Sequence, residues 1–503
     1  MTRNRDGLRR REFLGRAALG AAGAAASVAA GCAAGRTGHA TDRPNLLFVF
    51  ADQMRGMDMA CAGNGQVRTP HLDRLAAEGT QFTHAYANTP VCTPCRGTIL
   101  TGRYPHAHRA VANDLALPDD EVTVAELLRD AGYRTGYIGK WHLDGVPRDG
   151  FTPPGPRRQG FDFWAAWNCA HAYFNGRVYR DTPEAVRLRG YEPVGQTDLA
   201  MKFLAADDAR PWCLYLSWGP PHAPYEQVPE TYKAMYDAAQ ITPRPNVWDA
   251  PPAGFKRPGP GPSRETLAHY YAHISAIDEQ VGRLLDALRR RGQAASTLVV
   301  FTSDHGDMLW SQGTIKKEQP WEESIRIPLL VRWPRRAPAG RTSDALISAV
   351  DLAPTLLALM GCPVPDRMQG EDLSAVALGR ADEGPDAVLL TEPVIVDQGL
   401  AQGIREWRGL RTARYTYARW WDGGGWVLYD NQEDPYQLRN LIDSPGHALL
   451  RAELEKRLRA RLAAVGDECR SWQDTIRSLG LVESWNRRER VMHPKAPRLL
   501  ETA

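Results

Sequence analysis

Asn45-Leu46-Leu47-Phe48-Val49-Phe50-Ala51 (NLLFVFA) is a continuous apolar run near the start of the chain. A strand with one face in water would alternate apolar with polar residues, and this run does not. It therefore predicts a strand that is buried on both faces. Such a strand belongs in the middle of a sheet that helices cover on both sides.

Strands and helices alternate along the chain after this run. Helices are predicted from Pro70 to Gly79 and from the capping box at Thr123 to Gly132, because a capping signal opens each segment and a glycine ends it. Four more apolar strands and one long amphipathic helix follow the same logic: Thr135–Ile138, Trp212–Trp218, Thr297–Thr302, Ile327–Trp333 and the helix Glu265–Arg290. The alternation predicts an α/β fold with a large mixed, mostly parallel sheet flanked by helices.

The pattern of predicted secondary structure changes near residue 386. Ala387–Leu390, Gly409–Arg419 and Trp426–Tyr429 are typical of short strands separated by turns, and Ala448–Val465 of a charged amphipathic helix. We therefore expect a catalytic domain over 42–385 and a smaller α+β C-terminal subdomain with a short antiparallel sheet over 386–485. The basic, proline-containing tail 486–503 is expected to be poorly ordered.

The first 34 residues are typical of an export signal. Arg10-Arg11-Glu12-Phe13-Leu14 fits a twin-arginine motif, and a weakly apolar Ala/Gly run follows over 17–30. The box that ends at Cys32 is similar to a lipoprotein cleavage site, so lipidation of Cys32 and ordinary cleavage both stay open. We expect export by the twin-arginine route, to a periplasmic, secreted or lipid-anchored location at the cell envelope.

Charge and cysteine usage exclude several classes of protein. The formal net charge is +3, and six arginines against Asp6 and Glu12 give the first 31 residues +4, which leaves about −1 for the rest. That balance argues against a nucleic-acid partner. The eight cysteines are sparse and suggest no disulfide framework. Cys92 and Cys95 form a CxxC pair, but no second pair exists to complete a four-thiolate zinc site.

Polar residues follow two of the predicted strands. Asp52 and Gln53 come directly after the first strand, and Asp304 and His305 come after Thr297–Thr302. Ligands bind at the carboxyl ends of parallel strands, so these four side chains are expected to meet. Either pair alone would be read as a turn. Together they predict a divalent-metal site.

Cys92 is a second candidate for the chemistry of the site, after the predicted metal ligands. In Cys92-Thr93-Pro94-Cys95-Arg96, the proline marks a helix start, which places Cys92 at a helix N-terminus. Free N–H groups there stabilise an anion, so Cys92 is expected to be reactive. Composition does not distinguish a thiolate from a modified residue.

The segment Cys92–Arg103 resembles the signature of the type I, formylglycine-dependent sulfatase family of the alkaline phosphatase superfamily, Cys-x-Pro-x-Arg with a Leu-Thr-Gly-Arg ending. Further segments of the family recur in order over nearly all of the remaining chain. They are Ala51-Asp52-Gln53, Gly139-Lys140-Trp141-His142-Leu143, Pro221-His222-Ala223-Pro224, Ser303-Asp304-His305-Gly306, Lys317 with Trp321-Glu322, and Leu428-Tyr429-Asp430 through Asp434-Pro435. The resemblance implies an alkaline-phosphatase-like fold and hydrolysis of a sulfated carbohydrate or aryl sulfate.

The resemblance also implies a role for each matching residue. Cys92 would be oxidised to formylglycine by a formylglycine-generating enzyme, and its hydrate would be the nucleophile and a metal ligand. Asp52, Gln53, Asp304 and His305 would hold the metal. Arg96 and Lys140 would pin the oxygens of the hydrate, and His142 would take a proton as sulfate leaves. His222 and Lys317 would grip the sulfate and assist the leaving oxygen.

Two departures from the family pattern leave alternatives open. Many members have Asp where this chain has Gln53 and Asn where it has His305; the imidazole makes Mn²⁺ an alternative to Ca²⁺. The Gln/His version also resembles phosphonate monoester hydrolases and choline-type sulfatases, so a phosphonate or phosphodiester hydrolase is the second enzyme hypothesis. A non-catalytic binding protein and a thiol redox protein fit the residue set less well. Candidate substrate contacts are Asn113-Asp114, Trp164–His171, Trp310 and the strand-rich C-terminal part.

Overall fold

The strands alternate with helices as the sequence predicts. The computed structural model describes residues 43–501. Within that range the strands are β1 (Asn45–Asp52), β2 (Thr80–Phe82), β3 (Ala85–Tyr86), β4 (Arg134–Lys140), β5 (Phe163–Trp167), β6 (Arg177–Tyr179), β7 (Ala185–Arg187), β8 (Trp212–Pro221), β9 (Thr297–Ser303), β10 (Leu329–Arg332), β11 (Arg341–Ser343), β12 (Ile347–Ser348), β13 (Ala387–Glu392), β14 (Trp407–Thr412), β15 (Tyr415–Trp420) and β16 (Gly425–Asp430).

The helices lie mainly between strands of the large sheet and at the end of the chain. In the same range they are α1 (Pro70–Ala77), α2 (Cys92–Thr101), α3 (Pro105–His108), α4 (Val124–Asp130), α5 (Glu192–Leu204), α6 (Glu230–Lys233), α7 (Arg264–Arg290), α8 (Glu322–Ile325), α9 (Ala349–Leu359), α10 (Ser374–Ala377), α11 (Gln398–Gln402), α12 (Ala448–Val465), α13 (Trp472–Ser478) and α14 (Val482–Met492). The capping box at Thr123 is present. No helix among the described residues is long and apolar enough to span a bilayer.

The large sheet has ten strands in the order β11-β2-β10-β9-β1-β8-β4-β5-β6-β7. Its centre, from β9 to β5, is entirely parallel. Antiparallel partners occur toward the edges, where β10 pairs with β9 and β6 pairs with β5. Strand β1 lies in the middle, and the chain moves from it first to one side and later to the other. Ligands bind at such a reversal of strand order, at the carboxyl ends of the strands.

The side chains of β1 alternate between two cores. Leu46, Phe48 and Phe50 face one core, together with α2, α4 and α9. The residues between them, Leu47 and Val49, face the other, together with α1, α5 and α7. Both faces of the strand are therefore buried under helices, which confirms the prediction from NLLFVFA and the predicted fold class.

The C-terminal part contains the predicted antiparallel sheet, β13-β14-β15-β16. Leu454, Leu458 and Leu462 of α12 pack on one face of this sheet. The residues from Pro44 onward group as one compact unit, and the proposed boundary at 385 stays a prediction.

The expectation of a poorly ordered tail over 486–503 is wrong for its described residues. Trp485 and Arg488 of α14 are fully buried, and Leu500 joins the same apolar cluster as Val111. The guanidinium of Arg488 donates to the carbonyl of Asn113 at 2.8 Å and contacts Asp397 at 3.1 Å. The tail is basic in composition, but Leu500 fills an apolar recess beside Trp485, and Arg488 and Arg498 are paired with acidic side chains. The predicted export signal and Cys32 lie outside the described residues.

Candidate active site

The carboxyl ends of neighbouring parallel strands bring the predicted site together. Asp52 ends β1, Lys140 ends β4, and His222 follows β8 directly. Asp304 and His305 follow β9, the other neighbour of β1. All five side chains are buried. The sequence prediction that the polar residues after these strands meet is thus confirmed by their positions.

Cys92 lies at the centre of this group, as the first residue of α2. Its Sγ is 3.2 Å from Nε2 of His305, 3.5 Å from Nζ of Lys317 and 3.7 Å from Nζ of Lys140. Oδ1 of Asp52 lies at 3.7 Å. Two ammonium groups and the start of a helix surround this one atom, so the position suits a group with negative charge.

Electrostatics of the site favour an anion at Cys92. Burial and the carboxylate of Asp52 raise the pKa of the Cys92 thiol. The ammonium groups of Lys140 and Lys317, with His305, outweigh both effects and hold that pKa well below its ordinary value. Cys95, one turn further along α2, has the opposite environment. Its pKa is raised by burial and by Asp304.

Four side chains could hold a metal ion. Ligand atoms of Asp52, Cys92, Asp304 and His305 lie within 4.8 Å of one another. Nδ1 of His305 is 2.9 Å from the carbonyl of Gly306, which can only accept a hydrogen bond, so Nδ1 carries the hydrogen. In the neutral ring this leaves the lone pair of Nε2 facing the two carboxylates, which is the tautomer that a metal ligand needs.

The two carboxylates repel each other in a buried site. Burial alone would raise the pKa of Asp52, but Lys140 outweighs it and the pKa lies well below its ordinary value. The pKa of Asp304 is raised by burial and by the charge of Asp52. A divalent cation between the two groups would relieve this repulsion, so the donor set fits a metal.

Gln53 lies beside this donor group. Its backbone has a φ of 70°, which turns the chain sharply after β1. Its Oε1 accepts from Nζ of Lys317 at 2.6 Å, and its Nε2 donates to Asp307 at 2.5 Å. The predicted ligand oxygen of Gln53 is therefore bonded to a lysine in this structure, and its role as a metal ligand stays a prediction.

Arg96 forms ion pairs with the carboxylates of Asp52 and Asp304. Its guanidinium contacts Asp304 at 2.8 Å and Asp52 at 3.4 Å, and donates to the carbonyl of Lys140 and the hydroxyl of Ser217. These contacts orient the acidic side chains, whereas the resemblance implied that Arg96 pins the oxygens of the nucleophile. The Lys140 ammonium makes both kinds of contact, since it bonds Asp52 and lies near Cys92.

His222 and Lys317 form a hydrogen-bonded pair. Nζ of Lys317 is 3.0 Å from Nε2 of His222, and Nδ1 of His222 is 2.6 Å from the carbonyl of Ala223. The carbonyl requires a hydrogen on Nδ1, so Nε2 is the acceptor that faces the ammonium. Burial and Lys317 hold the pKa of His222 well below its ordinary value, which keeps its ring neutral.

His142 is held by a carboxylate that the sequence did not connect with it. Nε2 of His142 lies 3.0 Å from Oδ1 of Asp114, and Arg148 donates to the same carboxylate at 2.7 and 2.8 Å. Burial would lower the pKa of His142, but Cys169 and Asp114 outweigh it and raise that pKa to about 10. Asp114, a candidate substrate contact in the sequence, is 2% exposed and positions His142 instead.

A cavity of about 130 Å³ opens onto these residues. Its wall includes Cys169, from the candidate segment Trp164–His171, and three side chains that the sequence analysis did not single out, Arg148, Asp397 and Gln398. They belong to no common motif and meet only through the fold. Of the other candidate substrate contacts, Trp164 packs in the core against Tyr137 and does not line this cavity, whereas Asn113 and His171 do.

Comparison with known proteins agrees with this geometry. Residues 44–362 match the model of the sulfatase family, and residues 311–464 match that of the N-sulphoglucosamine sulphohydrolase C-terminal region. An ulvan-active sulfatase of Formosa agariphila is 39% identical over 85% of this chain and 83% of its own length.

Two solved structures have the same fold. The protein BT4656, in complex with its substrate D-glucosamine-2-N,6-O-disulfate, has a TM-score of 0.75 at 25% identity and covers 85% of this chain and 99% of its own. A phosphonate monoester hydrolase of Agrobacterium radiobacter has a TM-score of 0.69 at 25% identity, over 84% and 96% of the two chains. The match to the sulfatase model and the ulvan-active relative decide the family. The chain belongs to the sulfatase family and is a sulfuric ester hydrolase.

Proposed function

We propose that this sulfatase releases sulfate from a sulfated carbohydrate, with Cys92 oxidised to formylglycine as its nucleophile and one divalent metal. The observation that carries the proposal is the position of Sγ of Cys92. It lies at a helix start, between Lys140 and Lys317 and within 3.2 Å of the imidazole of His305. The sulfur marks the place that the two hydroxyl oxygens of a formylglycine hydrate would take.

The metal would be held by Asp52, Asp304, His305 and the oxidised Cys92, with Gln53 as a further ligand. When bound, it would polarise a sulfate oxygen and favour the ionised form of the nucleophile. Carboxylate and amide oxygens suit Ca²⁺, and we propose this ion. The nitrogen of His305 makes Mn²⁺ the alternative.

Cations of the chain would bind the sulfate group. Nζ of Lys140 and Nζ of Lys317 lie 3.7 and 3.5 Å from Sγ of Cys92, so both can donate to sulfate oxygens as charge grows there. His222 shares a proton with Lys317 through Nε2. This pair can hold a proton next to the departing alcohol oxygen and deliver it there.

His142 has a different protonation state from the one that the resemblance implies. Its pKa of about 10 keeps the imidazole protonated at neutral pH. In this state both ring nitrogens carry hydrogen. Nε2 bonds Asp114, and Nδ1, which has no partner among the described residues, can donate toward the cavity but cannot accept a proton. We infer that His142 supports negative charge on the oxygens of the nucleophile and exchanges its proton only after sulfate has bound.

The wall of the cavity favours a sugar over an aryl group as the leaving alcohol. Among the described residues, those that line it are charged, amide, thiol or imidazole groups, with no Phe, Tyr, Trp or aliphatic side chain. Arg148, Asp397 and Gln398 offer both donors and acceptors, which hydroxyl groups can pair with. An ulvan-active relative and a neighbour with a disulfated glucosamine as substrate are in keeping with a carbohydrate ester.

The alternative is a phosphonate monoester or phosphodiester hydrolase that uses the same nucleophile. The similarity to a phosphonate monoester hydrolase keeps it open. A panel with one leaving group attached as sulfate, phosphonate or phosphodiester separates the two. We expect the sulfate ester to have the highest kcat/KM, and ulvan oligosaccharides to be better substrates than an aryl sulfate. A preference for the phosphonate would replace the proposal with the alternative.

Maturation and location are proposed from the sequence. A formylglycine-generating enzyme would convert Cys92 in the cytoplasm, and the twin-arginine route would carry the folded protein out, with lipidation of Cys32 as one possible end state. Fractionation of cells that express the full chain tests this. Processed protein in the envelope or medium is expected, and Arg10-Arg11→Lys-Lys should leave it in the cytoplasm.

A further inference from the structure

A second thiol faces the active site. Cys169 follows β5, whose partner β4 carries Lys140, so both lie at the same edge of the sheet. The backbone N–H of Cys169 donates to the carbonyl of Arg148 at 2.8 Å, which fixes the loop. Cys169 and Cys92 line the same cavity of about 130 Å³. None of the steps proposed above gives Cys169 a contact with the substrate; it enters them only through its effect on the pKa of His142.

Two imidazoles and an ammonium group surround this thiol. Nε2 of His171 is 3.8 Å from Sγ of Cys169. The buried ring of His142 lines the same cavity, and its Nδ1 has no hydrogen-bond partner among the described residues. Burial opposes ionisation of Cys169, but His142 and Lys140 outweigh it and hold the pKa of the thiol well below its ordinary value.

The environment of Cys169 differs from that of four cysteines outside the cavity, Cys61, Cys95, Cys213 and Cys469. Burial raises the pKa of Cys213, and burial with Asp73 raises that of Cys61 to about 12. Cys95 and Cys469 are also shifted upward. Conversion of Cys92, which is part of the proposed function, leaves Cys169 as the cavity thiol of the mature enzyme.

We propose that Cys169 is a modification site: a nucleophilic thiol whose reaction with alkyl halides or hydroperoxides blocks the active-site cavity and inactivates the enzyme. With an alkyl halide, a C–S bond forms, the carbon–halogen bond breaks and halide leaves. With a hydroperoxide, an S–O bond forms and the O–O bond breaks. The sulfur is then oxidised to a sulfenic acid, and the departing hydroxide or alkoxide takes a proton from water.

An adduct at this position would reach the catalytic groups. The ring of His171, next to the thiol, stacks on the ring of His222 at 4.1 Å with an interplanar angle of 6°. His222 in turn contacts Lys317. A group attached to Cys169 therefore occupies space in a small cavity and disturbs the pair that serves the leaving oxygen. We expect modification to abolish turnover.

The test uses mature enzyme, co-expressed with a formylglycine-generating enzyme, and iodoacetamide as the probe. Wild type, Cys169→Ser and the matched control Cys61→Ser are compared by the fraction of their own starting activity that remains. The mass of the tryptic peptide Gln159–Arg177, in which Cys169 is the one cysteine, gives the extent of alkylation. Hydrogen peroxide is used in parallel and should add one oxygen to the same peptide.

We expect wild type and Cys61→Ser to lose activity in step with alkylation of this peptide, and Cys169→Ser to lose it at least roughly tenfold more slowly. Equal inactivation of Cys169→Ser and wild type would overturn the proposal. So would full activity with an alkylated Cys169. The peptide mass needs no substrate, so it tests the reactivity of Cys169 even if the proposed ester substrate is wrong. Alkylation of Cys169 no faster than that of Cys61 would refute the proposed reactivity.

Discussion

Substitution of Asp114 by Asn tests how the site positions His142. The carboxylate is 2% exposed and accepts from Nε2 of His142 at 3.0 Å and from Arg148 at 2.7 and 2.8 Å. An amide of the same shape has one acceptor in place of two. Its NH₂ group must face either the guanidinium or the imidazole, and both of these are donors.

The expected fall in kcat/KM follows from the loss of the hydrogen bond between Asp114 and His142. If the NH₂ group faces the imidazole, Nε2 of His142 loses its acceptor, and the protonated ring that Asp114 stabilises is no longer favoured. A hydrogen bond to a charged group contributes about 1.5–3 kcal/mol. We therefore expect kcat/KM of Asp114→Asn to fall roughly 10- to 150-fold.

The pH dependence of stability gives a second readout. The pKa of His142 is raised from 6.5 to about 10, so its stabilising contribution is complete below about pH 6.5 and is lost as the pH rises through 10. Asp114 has a lowered pKa, so its contribution is present above its ordinary value of 3.8 and is lost as the pH falls. The difference in stability between wild type and Asp114→Asn should be largest between these limits and shrink toward pH 10.

The assay is steady-state hydrolysis of one sulfate ester, with thermal unfolding on the same samples. Asp144→Asn is the matched control, because Asp144 is also a mostly buried carboxylate and bonds Arg157 at 2.7 Å and Thr152 at 2.8 Å, away from the cavity. This control should lose some stability and keep its kcat/KM. A kcat/KM of Asp114→Asn within about twofold of wild type would refute the positioning role.

Three further outcomes are expected. Removal of the metal with a chelator should abolish activity and lower Tm, and Ca²⁺ or Mn²⁺ should restore both; an enzyme indifferent to chelators would contradict the metal site. Leu458→Ala, in the buried face of α12, should cost about 2–5 kcal/mol of unfolding free energy and leave kcat/KM at low temperature unchanged. A large fall in kcat/KM of the folded variant would instead mean that the C-terminal sheet affects the catalytic residues. Trp485→Ala should cost about 3–5 kcal/mol, and an unaltered Tm would mean that the C-terminal helix does not pack as described.

The reacting groups could be predicted from the sequence because they follow strands. Asp52 and Asp304 stand directly after apolar runs, and the parallel pairing of β1 with β9 places the two strand ends side by side. Cys92 could be placed because a proline two residues later marks the start of a helix. These signals are local, and the sheet needs only its strand order to bring them together.

The walls of the cavity could not be predicted in the same way. Arg148 meets Asp114 through a loop whose course depends on tertiary contacts. Cys169 lies in the candidate segment Trp164–His171, but its position beside Lys140 depends on the pairing of β5 with β4. The tail was misjudged for a related reason. Leu500 fills a recess beside Trp485 and Val111, and one isolated apolar residue gives no periodic pattern in the sequence.

The central claim is that an oxidised Cys92 is the nucleophile. Its most direct test is the mass of the tryptic peptide Leu75–Arg96, measured alongside sulfatase activity in samples with different degrees of conversion. We predict that turnover rises in proportion to the fraction of peptide in which the thiol of Cys92 has become an aldehyde, and that Cys92→Ala is inactive. Full turnover by protein in which Cys92 remains a thiol would contradict the account.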